Sequence, residues 1–319
     1  MKVLIALGGN AIKQGHEKGS KEEQMRNVEV TCDHIVRILK NRSDVQILLT
    51  HGNGPQSGNL ALQQDIAKGS IPPQPLDIVG AMTQGQIGYM FQNCLQNALR
   101  RQNISTSVIS MINQVLVDAN DREFEGENAS KPVGNFLTEE EAMAMRQEKG
   151  WIVKQVKPGE LRGWRRTVPS PDPIRNMEAD TIRALSDSGA IVIASGGGGI
   201  PVVQTPEGLL QGVEAVIDKD LAGQRLAQAV GADVLMILTD VEGAMINFRT
   251  PQQQLLRDIT VDQAEQYMRD GQFLAGSMGP KVKACLRHAQ QGGTAIITSL
   301  DRACEALAGE AGTRITPLN

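Results

Sequence analysis

Aromatic side chains are scarce in this chain: 3% of its 319 residues are Phe, Trp or Tyr, with two Trp and two Tyr in all. A core with so few rings has to be built from Ile, Val, Leu, Ala and Met. With 33 glycines to make tight turns between elements, that mixture suits an α/β sheet protein, and the length suits one large domain or two smaller ones. Cysteine is equally sparse. Cys32, Cys94, Cys285 and Cys304 show no CxxC spacing, and a chain this long seldom needs disulfides, so four reduced, structural thiols are expected. There is no basic excess to displace counterions from a nucleic acid, because the formal net charge is −4, although a small anion can still be held by local cations. No apolar run is long enough to span a membrane. The opening segment MKVLIALGGNAIK has too few apolar residues before Gly8 for a signal sequence, and a cytoplasmic protein with its first strand at residue 2 is expected. Four His, no HExxH, no Ser-His-Asp order and no Walker A sequence leave a metal hydrolase without support and disfavour a P-loop nucleotidase.

What is present is a rhythm of strands and helices. Val3 to Leu7 is an apolar run ending in Gly8-Gly9-Asn10, the way a buried parallel strand hands over to a turn. Residues 22 to 40 place Met25, Val28, Cys32, Ile35, Val36 and Leu39 on one helical stripe. A second strand, Val45 to Leu49, runs into His51-Gly52-Asn53-Gly54-Pro55; Asp77 to Arg101 reads as a long helix and Val108 to Val117 as one further strand. Residues 121 to 170 break the rhythm: they are charged, hold both Trp residues and the basic cluster Arg162, Arg165 and Arg166, and read as an insertion projecting from the sheet. Beyond it the spacing predicts a strand at Ala190 to Ala194, a hairpin over Val202 to Val216, a helix over Lys219 to Val230 and a strand at Val234 to Leu238. Helices near 260 to 270 and 280 to 291, a strand at Ala295 to Thr298, a helix at Asp301 to Ala308 and a strand around Thr313 to Ile315 close the chain. There is no internal repeat. The whole reads as a mostly parallel sheet between helix layers, a fold that binds ligands at the carboxyl ends of its strands.

Three strands end in glycine-rich turns: Gly8-Gly9-Asn10, Gly52-Asn53-Gly54 and Gly196-Gly197-Gly198-Gly199. Glycine lets backbone N–H groups approach a ligand, and a helix N-terminus behind the turn adds partial positive charge, so together the three suit phosphate. Any one of them could equally be a plain strand-to-helix turn. The stretch from Gly52 to Gly58 is one residue longer than the dinucleotide fingerprint and lacks an acidic strand end about 20 residues on, which makes it a weak match. Phosphoryl transfer needs backbone donors, lysines and usually Mg²⁺ around the moving group. Lys219 and Lys281 both sit where a helix begins, the second just after Gly276-Ser277-Met278-Gly279-Pro280. Lysine is unfavourable at that end of a helix unless an anion answers it. Asp218 and Asp220 read as capping residues, with Asp220 equally able to orient the lysines; His51 reads as a turn residue rather than a base.

LIALGGNA at 4–11, THGNGPQ at 50–56, KPVGNF at 131–136, GWRRTVPSP at 163–171, ASGGGGIPV at 194–202, EAVIDKDLA at 214–222, LTDVEG at 238–243 and GSMGPK at 276–281 together resemble, over essentially the whole chain, the carbamate kinase family of the amino-acid kinase superfamily. The resemblance implies one domain over 1–319, an open, mainly parallel eight-stranded sheet in a three-layer αβα sandwich with a small projecting lid. Residues 1–195, with a lid insertion at about 121–170, would bind the acceptor, and residues 196–319 the nucleotide. It implies reversible transfer between ATP plus carbamate and ADP plus carbamoyl phosphate with Mg²⁺, in the direction of ATP during arginine or ureide and purine catabolism, by a homodimer. By position, Lys219 and Lys281 resemble the lysines at the transferring group, and Asp220 the aspartate that organises them. Gly8, Gly9 and Asn10 match the turn at the phosphates, Gly52 and Asn53 the acceptor turn, and Lys131 the lysine of the lid. Gly196, Gly197, Gly198 and Gly199 match residues lining the same cavity, while Thr239, Asp240 and Met278 match the nucleoside site. No protein ligand to a metal is implied. Asn135 stands where the family commonly has proline, so an altered lid geometry is expected. The rivals are a kinase of another small carboxylate, such as an N-acetylated amino acid, and a non-catalytic nucleotide-binding protein; a dinucleotide oxidoreductase ranks last.

Overall fold

Alternation along the first strand decides the layering. In Lys2–Leu7, the side chains of Val3, Ile5 and Leu7 point to one face of a sheet and those of Leu4 and Ala6 to the other, and all five are fully buried. Only a central strand covered on both faces can be apolar without a break. In the computed structural model, which describes residues 1–274 and 276–317, this strand lies inside an eight-stranded sheet. The order across the sheet is Asp258–Thr260, Thr313–Thr316, Thr294–Ser299, Val234–Thr239, Lys2–Leu7, Gln46–His51, Ile191–Ile193 and Val108–Ser110. All neighbours are parallel except Thr294–Ser299 with Thr313–Thr316. The mainly parallel αβα sandwich expected from the sequence is the observed fold.

Each face is closed by helices whose apolar stripes fit it. Lys21–Asn41 turns Val28, Cys32, Ile35 and Val36 onto the Val3, Ile5 and Leu7 face, together with Phe91 and Leu95 from Leu76–Arg101. Lys219–Val230 and Met278–Gln290 cover the Leu4 and Ala6 face with Leu226, Ala227, Val282 and Cys285. All four thiols are free, and Cys304 alone is partly exposed. The helix Lys21–Asn41 starts where Ser20 and Glu23 form a reciprocal capping box, which satisfies two otherwise unpaired backbone donors.

Three expectations need correction. Val108 to Val117 is two strands rather than one: Val108–Ser110 ends the main sheet, and Gln114–Val117 joins a four-stranded sheet with Leu210–Gly212, Ile200–Gln204 and Pro173–Asn176. The chain changes sheets because Asn113 is buried between them, accepting from Ser195 N–H and donating to Asn176. Second, the turn after His51 leads directly into a helix, Gly54–Ala67, with Pro55 in its first turn, a position that tolerates the missing N–H. Its weak apolar pattern hides it from periodicity. Third, the last helix opens as a tight turn, Leu300–Arg302, before Ala303–Leu307. The insertion forms a sheet of its own, ordered Lys131–Leu137, Trp164–Val168 and Val153–Gln155, with the helix Glu139–Lys149 against it.

Gly198 shows how tightly the turns are seated. Its φ is +100°, and a Cβ there would lie 2.3 Å from the Ile217 carbonyl oxygen. Gly198→Ala should therefore lower the unfolding free energy by more than about 1 kcal/mol, read as a lower urea midpoint. Gly9→Ala, whose Cβ meets nothing within 4 Å, should leave that midpoint at or above the wild-type value.

Candidate active site

A cleft of about 590 Å³ opens at the carboxyl ends of the central strands. Each strand delivers its turn to it: Gly8-Gly9-Asn10 after Lys2–Leu7, Gly52-Asn53-Gly54 after Gln46–His51, Thr239-Asp240 at the end of Val234–Thr239, and Leu300-Asp301 after Thr294–Ser299. Two helices aim their N-termini at the same space. Lys219–Val230 begins there because Asp218 caps it, accepting from Asp220 N–H at 2.9 Å and Leu221 N–H at 3.5 Å. Met278–Gln290 begins after Ser277. Both ends bring partial positive charge.

Lys219 and Lys281, from these two first turns, converge on one carboxylate. Lys219 Nζ lies 2.5 Å from Asp220 Oδ1 and Lys281 Nζ 2.9 Å from Asp220 Oδ2. Asp220 is 2% exposed. Burial alone would raise its pKa, but Lys219 and Lys281 outweigh that and hold it below the ordinary carboxylate range. Burial pushes Lys219 down despite the pull of Asp220. For Lys281 burial acts in the same direction, and Asp220 reverses it to a net rise. The triad of two ammonium groups and one carboxylate carries a surplus positive charge facing the cleft. Of the two aspartates read as caps, Asp218 is the cap and Asp220 the bridge.

From the opposite wall, Lys131 of the small sheet reaches Asp218 Oδ2 at 2.8 Å. Gly52 has a steric reason to be glycine, since a Cβ there would lie 3.2 Å from Lys219 Cδ, where the lysine stem crosses the turn. The four glycines after Ser195 divide. Gly197 lines the cleft, while Gly196, Gly198 and Gly199 are buried behind it against His51, Ile217 and Val115. Met278 lies in a smaller adjoining cavity of about 80 Å³, which shares Thr239, Asp240, Ser277 and Lys281 with the cleft and whose further lining includes Met245, Phe248, Phe273 and Leu274 beside Gln272. Asn135 lines neither; it faces a cavity of about 830 Å³ between the small sheet and the helix Gly54–Ala67. That larger space lacks Lys131, Lys219, Lys281 and the three glycine turns, so size does not identify the chemistry here.

Sequence reasoning missed the polar scaffold behind the glycines. Ser195 takes a left-handed φ of 53° and is held by Asn113 and Asn176, its N–H donating to Asn113 Oδ1 and its Oγ to Asn176 Oδ1. Gln84 Nε2 donates to the Gly196 carbonyl and Asn53 Nδ2 to Thr83 Oγ1. The only sequence signal was the run of Gln in the helix Leu76–Arg101. His51 is buried, stacked near Phe91, with Nδ1 3.0 Å from the Gly52 carbonyl.

Fold and site together define a class: α/β proteins that gather strand-end turns and lysine-bearing helix starts around one cleft. The sequence model of the amino acid kinase family matches residues 1–299, and the chain belongs to that family. It is 50% identical over 319 residues to the carbamate kinase of Pyrococcus horikoshii, covering 99% of each chain. To the carbamate kinase of Thermococcus kodakarensis it is 51% identical over 317 residues, 98% of each. Among solved structures it superposes on the carbamate kinase of Giardia lamblia bound to AMP-PNP with a TM-score of 0.91 at 43% identity, covering 99% of this chain and 98% of that one.

Burial moves the His51 pKa from 6.5 down to about 4, with Gly52 pulling it up and Lys219 adding to the fall. The folded value lies below the unfolded one, so the contribution is complete above pH 6.5 and is lost as pH falls toward 4. It amounts to something on the order of 3 kcal/mol. Urea midpoints measured from pH 7.5 to 4.5 should fall less steeply for His51→Gln than for the wild type.

Proposed function

We propose that this chain is a carbamate kinase, moving a phosphoryl group between ATP and carbamate and, in reverse, from carbamoyl phosphate to ADP. One observation carries the reading: Lys219 and Lys281 start two different helices and meet at Asp220 beside the glycine turns, in a chain half identical to carbamate kinases along its full length. The acceptor is an anion near neutral pH and attacks phosphorus without a general base. His51, neutral and walled off, has no proton to take. What the transfer requires is charge neutralisation and alignment. Lys219 and Lys281 meet the equatorial oxygens of the moving group, Asp220 keeps both ammonium groups aimed while leaving surplus positive charge, and the N–H groups at Gly9 and Asn10 receive the phosphates, while the Gly8 N–H donates to the Leu238 carbonyl and seats the turn. Gly52 and Asn53 bound the acceptor end. Thr239, Asp240 and Met278 hold the nucleoside, with the apolar cavity beside Met278 receiving the base.

Mg²⁺ would arrive with the nucleotide and neutralise phosphate charge. Among the described residues no three acidic, thiol or imidazole groups converge as a metal site. The cleft carboxylates other than Asp218 and Asp220 are Asp240 and Asp301, single groups of the kind that meet Mg²⁺ through water while phosphates supply the direct ligands. Within the insertion at about 121–170, the small sheet Lys131–Val168 acts as a lid carrying Lys131 over the acceptor, with 1–195 forming the acceptor side and 196–319 the nucleotide side. The working form is a homodimer, for which Ile78, Met82 and Tyr89, exposed at helical spacing along Leu76–Arg101, offer an apolar face. Among the described residues no helix is long and apolar enough to cross a membrane, and we place the enzyme in the cytoplasm.

Coupled measurement of ATP formed from ADP and carbamoyl phosphate tests the reading. Lys219→Ala and Lys281→Ala should each lower kcat by roughly 10²–10⁴-fold, as loss of a charge stabilising a transferring phosphoryl group does, with far-UV circular dichroism unchanged. Wild-type turnover of acetyl phosphate or an N-acetylglutamyl phosphate in preference to carbamoyl phosphate would reject the acceptor.

A further inference from the structure

The chain leaves the body of the protein at Ser130 and returns at Ser170, and between them lies the whole small sheet that brings Lys131 to the cleft. Both crossing points are tied to one atom. Ser130 N–H and Ser170 N–H each donate to Glu123 Oε2, at 2.9 Å in both cases. Glu123 itself belongs to a short turn, Arg122–Phe124, capped by Asp121. The turn is fixed to the body twice over. Phe124 packs on the cluster of Val115, Val117, Ile217 and Ala222, and Ile217 and Ala222 flank the segment that carries Asp218, Lys219 and Asp220. Asp121 Oδ2 accepts from Asp172 N–H at 3.0 Å, and the Asp172 carboxylate takes a two-pronged contact from Arg287 and a third from Lys283, both on the helix that begins near Lys281.

We propose that Glu123 is a positioning residue, the hinge clip that sets the angle of the lid to the Asp218–Asp220 turn and thereby places Lys131. Two backbone donors from opposite sides of the lid converging on one oxygen define an axis about which the lid swings. A carboxylate accepting N–H groups on both sides holds that axis more strongly than a neutral acceptor holds one. The kinetic side of this inference rests on the carbamate kinase reading; the conformational side does not. Without the clip, fewer molecules have the lid in its closed position, and the apparent affinity for the ligand beneath it falls by that fraction.

The chain supplies its own reporter, because both of its tryptophans, Trp151 and Trp164, lie on the lid, Trp151 with Lys149 and Arg166 against its ring. In ligand-free protein, Glu123→Ala should increase acrylamide quenching of tryptophan emission. In the coupled assay it should raise KM for carbamoyl phosphate roughly tenfold while KM for ADP and kcat change much less, the pattern of a depleted competent state. Glu123→Gln keeps a carbonyl oxygen with two lone pairs and should restore quenching and KM to within about twofold of wild type. Wild-type quenching and wild-type KM in Glu123→Ala would overturn the proposal, as would a loss confined to melting temperature or a Gln variant as impaired as Ala. If wild-type protein turned over no carbamoyl phosphate, the functional reading would fall while the quenching comparison still decided the hinge.

Discussion

One buried carboxylate held between two lysines governs the architecture around it. Taking Asp220 out of water costs several kcal/mol, and attraction to its partners repays this only when geometry is tight and the remaining lone pairs are used. Lys219 and Lys281 meet that condition from two different helices, so the helix starts at 219 and 278 have fixed relative positions. Each lysine is otherwise misplaced at the positive end of its helix. Asp220 answers both with a single charge, and the imbalance that remains is what a phosphate can use. A neutral triad would pack as well and attract no anion.

The same constraint explains which glycines matter and why. Lys219 reaches Asp220 across Gly52, where a methyl group would press on its stem. The turn that presents Gly52 is pinned from behind by Asn53 on Thr83, and Gly196 and Gly197 are glycines because His51 and Asn53 occupy the space a side chain would take. Ser195 is held in a left-handed conformation by Asn113 and Asn176. Backbone strain of this kind costs of order 1–3 kcal/mol and survives only where the surroundings over-determine it. Here a fully buried amide network does so. The glycine-rich turn after Ile191–Ile193 is thus largely a packing device, with Gly197 as its face toward the cleft.

Strands and amphipathic helices were legible because burial writes period two and period 3.6 into the apolar residues, as in Val3 to Leu7 and Val28 to Val36. Lys219–Val230 could be placed to the residue because Asp218 is a cap and Gly231 closes the helix in the left-handed region. The break at Met111 to Asn113 was not legible. The local sequence reads as one strand, and the reason for the crossing lies in partners 63 and 82 residues away. Gly54–Ala67 was hidden for the opposite reason, since its faces meet a lid strand and a cavity rather than a continuous core. Lys219 and Lys281 could be singled out as lysines at helix starts, but that they share one carboxylate is a tertiary fact. Glu123, in a charged stretch without periodicity, gave no signal at all.

Charge across the lid boundary has a consistent sign. Lys131, Lys149 and Arg166 belong to the lid segment, and their partners Asp218, Asp65 and Glu214 belong to the body. Lys149 and Arg166 also lie against Trp151, so the cations are held on the lid whether or not they are paired. Partly exposed pairs of this kind are each worth only about 0–1 kcal/mol, which is too little to lock the lid and enough to bias where it closes. If the insertion closes as proposed, the pairs with Asp65 and Glu214 would guide its approach while leaving opening reversible. The pair between Lys131 and Asp218 differs in its neighbours, for Asp218 caps the helix of Lys219 and precedes Asp220. On the proposed reading, a phosphate in the cleft would compete with Asp218 for the Lys131 ammonium, and the lysine would exchange a carboxylate for the ligand without leaving the positive end of that helix.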